Sequence, residues 1–220
     1  MGIGGLHSQE ESVSYVEDDE TGLFDNDVTG YYPNLKLRSG REPSNMRGHY
    51  LTVFKQIVDE RAAAKKAGDK PKAEQGKIAS NGLFGKTGSP YSIVYAPQMM
   101  IQTTVTGQLS LLMLIEECAL QGWQVVSANT DGFVTRVPWA DRGIFRAIIF
   151  DWECATGLTM EETHYKAIYA RDVNNYMALK KEQGKGGAFT GKIEVKRKGV
   201  FAPSGRGIPA AFGLKKTPAN

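Results

Sequence analysis

The pattern of apolar and polar positions predicts a strand near the start of the chain. Residues 23–28 are predicted as that strand, which ends at Gly30 and Pro33 because proline cannot donate to a central ladder. Residues 1–22 are polar and Gly-rich with a short alternating piece, a pattern typical of a weak hairpin. Residues 34–47 hold Pro, Ser, Gly and Asn, so we predict a loop there.

Helical periodicity dominates the middle of the chain. Apolar residues recur at helical spacing from 49 to 67, and a second helix is predicted over 72–85 after a Gly-Asp-Lys-Pro break. The short connection indicates an antiparallel helical pair, a projection without a core of its own. The most apolar helix runs from near Thr106 to Gly122 and is expected to lie against a sheet. A further helix is predicted over 139–156.

Strand-forming residues return in the second half of the chain. Two β-rich runs flank the Asp-Gly pair at 131–132, which suits a tight hairpin turn. Further strands are predicted over 164–170 and 176–180. This order of strands and helices indicates an α+β fold, in which helices pack on one face of a mainly antiparallel sheet.

Composition limits the classes of protein to consider. A chain of 220 residues can bury one sizeable core. No run approaches the roughly 18 apolar residues of a membrane span, and the start lacks a signal-peptide pattern, so we expect no membrane partner. Cys118 and Cys154 lie in apolar stretches without metal-ligand spacing. Both are therefore expected to be buried reduced thiols, which favours a cytoplasmic protein.

The net charge of +3 is unevenly distributed along the chain. Residues 1–34 contain eight acidic side chains and no Lys or Arg, whereas residues 180–220 contain ten Lys or Arg and two Glu. A basic end of this kind indicates an anionic partner, and nucleic acid is the usual one. A solvated, flexible tail explains the same composition about equally well.

Three segments carry candidate chemistry. Asp27 ends a predicted strand, where a carboxylate could bind a hard cation such as Mg²⁺, although an acid that starts a turn is commoner. Asp131 lies in the predicted hairpin turn, where ordinary turns favour Asp as well. Lys77, Asn81 and Phe84 share one face of a predicted helix. That face could meet a triphosphate and a base in succession, or it could be an ordinary amphipathic surface.

Together the three segments resemble the family B DNA polymerases, in particular the phage and linear-plasmid branch that includes protein-primed enzymes. DVTGYYPN resembles the first palm motif, KIASNGLFG the fingers motif and NTDG the palm hairpin motif. Their order along the chain is that of the family. The likeness extends over residues 4–218, since GIGGLHSQE and LKKTP near the two ends resemble stretches that border the palm.

The resemblance implies a role for each matched position. Asp27 and Asp131 would bind two Mg²⁺ ions, or Mn²⁺ in their place, and the backbone carbonyl of Val28 would be a further ligand. Tyr32 would stack under the deoxyribose and reject a 2′-hydroxyl. Contacts to the nucleotide would come from Arg61, Lys65, Lys77, Asn81 and Phe84. Contacts to primer-template DNA would come from Arg171, Tyr176, Lys196, Arg197 and Lys198.

Two positions depart from the family pattern. Asn129 replaces the first acid of the hairpin motif, but in the family the second acid, here Asp131, carries the metal. Asn174 stands two positions before Tyr176, where the family often has Lys. Binding of the primer end by Asn174 is therefore not expected, although Arg171 lies nearby in the sequence.

The resemblance divides the chain into four parts. Residues 1–47 and 87–180 would form the palm, 48–86 the fingers, and 181–220 a basic Gly-rich tail beside the thumb. Neither a proofreading exonuclease nor a thumb fits in this length, so the sequence predicts a minimal or split polymerase core, or a piece of a larger one. The expected partners are primer-template DNA, deoxynucleoside triphosphates and other replication subunits, in the cytoplasm of an infected host if the protein is viral.

Two other classes of function stay open at this point. The chain could be a non-catalytic nucleic-acid-binding or assembly subunit that keeps the palm shape, although Asp27 and Asp131 argue against it. A metal-dependent hydrolase is a weaker alternative. It would need more carboxylate or His ligands than three scattered histidines provide.

Overall fold

A large antiparallel sheet forms the centre of the protein. The computed structural model describes residues 4–184 and 189–202. The strands are β1 (Leu6–His7), β2 (Val13–Val16), β3 (Thr21–Val28), β4 (Gln124–Thr130), β5 (Gly132–Pro138), β6 (Met160–Asp172), β7 (Asn175–Gln183) and β8 (Phe189–Arg197). Across the sheet the order is β1-β4-β5-β3-β6-β7-β8, and β2 pairs with β6 outside that path. All of these described pairings are antiparallel, which confirms the predicted sheet.

Helices packed on the sheet complete the predicted α+β fold. They are α1 (Tyr31–Ser39), α2 (Tyr50–Ala67), α3 (Lys70–Lys86), α4 (Pro97–Leu120) and α5 (Arg142–Thr156). Leu114 of α4 and Phe145 of α5 share one core with Phe24 of β3. Leu23, the neighbour of Phe24 in β3, belongs to a second cluster on the opposite face of the sheet. The central strand β3 is therefore covered on both faces.

The helical pair α2–α3 shares a small hydrophobic cluster with the parts of the chain around it. Tyr50 and Phe54 of α2 are buried against Val94 and Met99, which come from the chain that returns after α3. The sequence pattern described each helix correctly, but it could not show that this returning segment would cover them. The two helices pack together after a turn in which Gly68 has a left-handed φ of 76°.

The predicted loop over 34–47 is wrong in its first part, where α1 continues to Ser39. Pro33 lies in the first turn of α1, where backbone N–H groups have no partner within the helix, so its missing donor costs little. Gly40 ends the helix with a left-handed φ of 61°. Pro33, which was predicted to end the strand, therefore lies in the first turn of a helix.

Three further predictions differ from the structure. The hairpin in residues 1–22 is absent from its described part, because β1 pairs with β4 and β2 with β6. Helix α4 begins at Pro97, well before Thr106, since proline suits the first position of a helix. Residues 189–197, expected in a basic tail, form β8 against β7. The rest of that tail, residues 203–220, and with it LKKTP, lies outside the described residues.

The two cysteines have different environments. Cys118 is buried in the main core, as predicted, whereas Cys154 is exposed on α5, so the prediction for Cys154 is wrong. An apolar stretch identifies a helix, but the face that each residue occupies depends on how the helix docks. No helix in the described part of the chain combines the length and apolar character needed to cross a bilayer.

Lys36 is a charged side chain that lies inside the protein where α1 meets α2 and α3. It is fully buried, and its Nζ lies 5.1 Å from the ring centroid of Tyr50 and 5.5 Å from that of Phe84. Among the described residues this Nζ has no hydrogen-bond partner. Burial lowers the pKa of Lys36 to about 8. In the described part of the chain, the two aromatic faces are what compensates for the lost hydration of the ammonium.

We expect Lys36→Met to raise the free energy of unfolding at pH 7 by about 2 kcal/mol, because Met fills a similar volume without a buried charge. The native pKa of Lys36 lies below that of an unfolded lysine, so the native state loses its proton first. The stability of the wild type should therefore rise with pH between about 8 and 10.5, and the variant should lack this rise. Urea unfolding at several pH values measures both effects. Lys66→Met, on the exposed side of α2, is the control, and parallel stability curves for wild type and Lys36→Met would contradict the expectation.

Candidate active site

Asp27 and Asp131 meet at one end of the sheet, although they are far apart in the sequence. Asp27 pairs with Gly132, the residue after Asp131, and the backbone N–H of Val28 donates to the carbonyl oxygen of Asp131 at 2.7 Å. Both carboxylates line one pocket of about 240 Å³. A Cβ built on Gly132 would lie 2.1 Å from Oδ1 of Asp27 and 2.7 Å from the backbone carbonyl oxygen of Asn26, which cannot easily move, so only glycine permits this approach. Strand pairing therefore brings the two acids together.

The turn that carries Asp131 is strained. Asn129 pairs with Gly132, so the two central residues of the hairpin loop are Thr130 and Asp131. The sequence pattern predicts Asp131 and Gly132 as the central residues of this loop, one position later in the chain than the structure has them. Thr130 has a φ of 60°, a left-handed conformation that a β-branched residue adopts at a cost of about 1–3 kcal/mol. Such strain is found most often at functional sites, where the surrounding structure holds it in place.

A third carboxylate, Asp25, lines the same pocket and was not singled out from the sequence. Asp25 and Asp27 are two positions apart in β3, so their side chains share a face of the sheet. That spacing was the available signal. Asp25 is 6% exposed and accepts hydrogen bonds from the Tyr165 hydroxyl and from Nζ of Lys196. No sequence signal pointed to Tyr165.

The electrostatics of the pocket favour a bound cation. Asp27 and Asp131 are both exposed at its mouth, where an ion can reach them. Desolvation by the surrounding protein, followed by the negative charge of Asp25, raises the pKa of Asp27 to about 6, against the opposing effect of Lys196. Desolvation is also the largest cause of the raised pKa of Asp131. Carboxylates that repel each other and have lost part of their hydration gain from a shared positive ion.

The donor set fits magnesium better than a structural metal. Within the described residues there is no group of three or more His, Cys, Asp or Glu arranged to hold a metal ion. Mg²⁺ usually keeps several waters and takes one or two protein carboxylates together with substrate phosphates. Asp27 and Asp131 supply such a pair. Val28, whose carbonyl was expected to be a further ligand, is 3% exposed and lies beside the two acids without lining the pocket.

Tyr32 and Phe84 are brought into direct contact. Tyr32 lies in the first turn of α1, and its ring stacks on that of Phe84 from α3, with centroids 5.0 Å apart and planes 6° from parallel. Tyr31, the preceding residue, is buried beneath and donates its hydroxyl to the carbonyl of Gly107. The stack joins the helical pair to the end of the sheet that carries Asp27. Two of the predicted nucleotide contacts, Tyr32 and Phe84, are therefore in direct contact with each other.

The predicted cationic contacts are spread over the helical pair. Lys77 and Asn81 are exposed on α3, and Lys77 lies 4.0 Å from Glu74. Arg61 packs on Gly76, and its guanidinium would lie 3.9 Å from a Cβ at Gly30, next to the start of α1. Lys65 forms an ion pair with Glu161, the β6 residue that pairs with Asp27. Arg61 and Lys65 therefore approach the carboxylate end of the sheet, whereas Lys77 and Asn81 face solvent.

The predicted DNA contacts divide into two groups. Tyr176, Lys196 and Lys198 line the carboxylate pocket, and both ammonium groups lie 5.7 Å from the Tyr176 ring centroid. Arg197 alternates to the other face of the strand, and neither it nor Arg171 lines the pocket. Arg171 forms an ion pair with Asp172 at 3.1 Å. The amide of Asn129 donates to the carbonyl of Val173 at 3.1 Å, and so ties the hairpin to the β6–β7 turn.

Comparisons with known proteins concern the fold. A scan against protein-family models and a search of curated proteins found no match. Among solved structures, the chain is similar to the family B DNA polymerase from the hyperthermophilic archaeon Pyrobaculum calidifontis, with a TM-score of 0.61 and 14% sequence identity. The similarity covers 89% of this chain and 28% of that chain, so this chain spans little more than a quarter of that polymerase. At this identity the two proteins share a fold.

Proposed function

We propose that the chain is the palm and fingers core of a DNA-directed DNA polymerase that adds deoxynucleotides to a primer 3′-hydroxyl. The observation that carries this proposal is the convergence of Asp27 and Asp131 in one pocket of a sheet whose fold is similar to a family B polymerase. The same two acids belong to the segments that resemble the palm motifs. The motif likeness also favours the phage and linear-plasmid branch of that family.

Asp27 and Asp131 would hold two divalent ions, Mg²⁺ or Mn²⁺, at the mouth of the pocket. When bound, such ions activate the primer hydroxyl and neutralise charge on the transferring phosphoryl group. The protein contributes position. The pairing of Asp27 with Gly132 holds the Asp27 carboxylate beside strand β5, and the strained turn at Thr130 holds the Asp131 carboxylate. Phosphoryl transfer needs such positioning and charge neutralisation more than covalent catalysis.

The incoming nucleotide would lie between the carboxylates and the helical pair. Tyr32 would lie under the deoxyribose, and its stacking on Phe84 would hold the ring against the sugar. The triphosphate would approach the start of α1, where the N-terminal end of the helix and the Arg61 guanidinium favour negative charge. Lys77 and Asn81, exposed on α3, would complete the phosphate and base contacts from the fingers side.

The primer strand would lie on the other side of the pocket. Lys196 and Lys198 supply positive charge there, with the Tyr176 ring beside both ammonium groups. Cations along such a surface bind the phosphate backbone without regard to sequence. The partners that we propose are therefore primer-template DNA, deoxynucleoside triphosphates and further replication subunits, in the cytoplasm.

A primer-extension assay tests this function. We expect the purified chain to lengthen a labelled primer on a DNA template when Mg²⁺ or Mn²⁺ is present, and not when EDTA is added, because the two carboxylates need the ions to act. Extension in EDTA would contradict the metal assignment. Binding of the primer-template without extension in either metal would favour the alternative function, a non-catalytic nucleic-acid-binding or assembly subunit.

A further inference from the structure

Asp25, Tyr165 and Lys196 form a hydrogen-bonded cluster beside the two pocket-mouth carboxylates. Nζ of Lys196 lies 3.1 Å from Oδ2 of Asp25 and donates to the Tyr165 hydroxyl at 2.7 Å. The Tyr165 hydroxyl in turn donates to the same Oδ2. Asp25 is 6% exposed and Tyr165 is fully buried, whereas the side chain of Lys196 is 39% exposed. Two fixed groups thus hold one end of a side chain that still reaches solvent.

The cluster is poorly explained by stability alone. In β3, Asp25 pairs with Val134 on one side and Thr163 on the other, and its neighbours on the same face are Leu23 of the second core cluster and Asp27 at the pocket mouth. An apolar side chain at this position could pack against Leu23. Replacing a buried ion pair by apolar residues is often neutral or stabilising. The ion pair does, however, fix the location of the Lys196 ammonium.

Asp25 is also poorly suited to be a third metal ligand. Its Oδ2 already accepts from a hydroxyl and from an ammonium, which offsets its negative charge. Asp27 and Asp131, by contrast, are exposed at the pocket mouth. The three carboxylates of the pocket therefore divide into two that face an incoming ion and one that faces a lysine.

We propose that Asp25 and Tyr165 are positioning residues that hold the Lys196 ammonium where it binds a phosphate of the primer strand, beside the metal-binding carboxylates. This inference rests on the proposed polymerase function. A lysine ammonium has three N–H donors. Asp25 and Tyr165 hold the ammonium from the buried side, and the Tyr176 side chain also contacts it, but the Lys196 side chain is still 39% exposed, so a phosphate oxygen can reach it from solvent. Lys198, in contrast, forms no ion pair with any described residue, and its ammonium lies 5.7 Å from the Tyr176 ring centroid.

Equilibrium binding of primer-template in EDTA tests the proposal, because a simple charge effect and a loss of the Lys196 anchor change the affinity in opposite directions. Removing an acid near bound DNA strengthens binding if only the net charge matters, because repulsion of the phosphates falls. Asp25→Asn should instead weaken binding about fivefold, since the ammonium loses its anchor. Tyr165→Phe, which removes one hydroxyl and keeps the ring, should weaken it in the same direction. Asp19→Asn, an exposed acid in the turn before β3, is the matched charge control.

A double-mutant cycle tests whether Asp25 acts through Lys196. Lys196→Met should weaken binding by itself, and adding Asp25→Asn should produce no further loss, because the anchored group is gone. Lys198→Met combined with Asp25→Asn should give additive losses. Additive losses with Lys196→Met, or tighter binding by Asp25→Asn alone, would overturn the proposal. Thermal unfolding of each variant shows whether it is folded.

Primer extension then separates this inference from the proposed function. In an active protein, Asp25→Asn and Tyr165→Phe should raise the KM for primer-template about fivefold and leave the KM for the deoxynucleotide unchanged, and Tyr165→Phe should also leave the Mg²⁺ concentration at half-maximal rate unchanged. An increase in the Mg²⁺ requirement of Asp25→Asn as large as that of Asp27→Asn would make Asp25 a metal ligand and overturn the positioning role. If the wild type does not extend primers, the proposed function fails, and the binding cycle still decides whether Asp25 holds Lys196 for a nucleic-acid phosphate.

Discussion

Asp27→Asn and Asp131→Asn are each expected to lower the rate of nucleotide incorporation about a thousandfold, since a metal clamp supplies several kcal/mol of transition-state stabilisation. The amide has nearly the size of the carboxylate and lacks the negative charge that holds the ion. Both acids are exposed at the pocket mouth, so the substitution leaves the core packing untouched. The loss should therefore appear in catalysis and not in folding.

Single-turnover incorporation measured over a range of Mg²⁺ concentrations checks this expectation. Asp19→Asn, which removes an exposed acid outside the pocket, should keep the wild-type rate. Thermal unfolding without metal should show both pocket variants to be at least as stable as the wild type, because a repulsive charge has been removed from beside Asp25. A near wild-type rate in either variant would remove that residue from the metal site.

Tyr32→Ala is expected to relax the discrimination against ribonucleotides about a hundredfold, the scale on which pocket shape alone separates similar substrates. The Tyr32 ring is held by its stacking on Phe84, with centroids 5.0 Å apart, so it forms a rigid surface. A rigid ring under the sugar would leave no space for a 2′-hydroxyl. The methyl side chain of Tyr32→Ala would leave that space open.

The ratio of kcat/KM for a deoxynucleotide and the matching ribonucleotide measures this discrimination. Tyr32→Phe is the matched control, because it keeps the ring and its stacking on Phe84 and removes only the hydroxyl. It should retain the wild-type sugar selectivity. Equal selectivity in Tyr32→Ala and the wild type would show that Tyr32 does not contact the sugar.

Local sequence patterns predicted elements better than they predicted the ends and partners of those elements. The strand over 23–28 and the helix over 49–67 agree closely with β3 (Thr21–Val28) and α2 (Tyr50–Ala67), because their periodicity is local. Helix α4 begins earlier than its apolar run predicts, because Pro97 suits the first position of a helix. β8 was missed because a Gly-rich, basic composition has no strong strand pattern, and its pairing with β7 supplies the order.

The candidate site shows the same division. Asp27 and Asp131 could be chosen from the sequence because each belongs to a segment that resembles a polymerase motif, and their place in one pocket agrees with that choice. Asp25 was overlooked although its spacing from Asp27 put it on the same face. Tyr165 and Lys196 reach Asp25 from other strands, and no local pattern relates the three.

The amino-acid sequence by itself determined the α+β class and most of the elements, because each of these depends on residues close together in the chain, and it singled out Asp27 and Asp131 as candidates through their motifs. Only the tertiary structure decided which strands pair and in which register, and so placed Asp27 opposite Gly132 and Lys196 against Asp25. The physical reason is that a β-strand shows which side chains share a face, whereas its partner is selected by packing across the whole sheet.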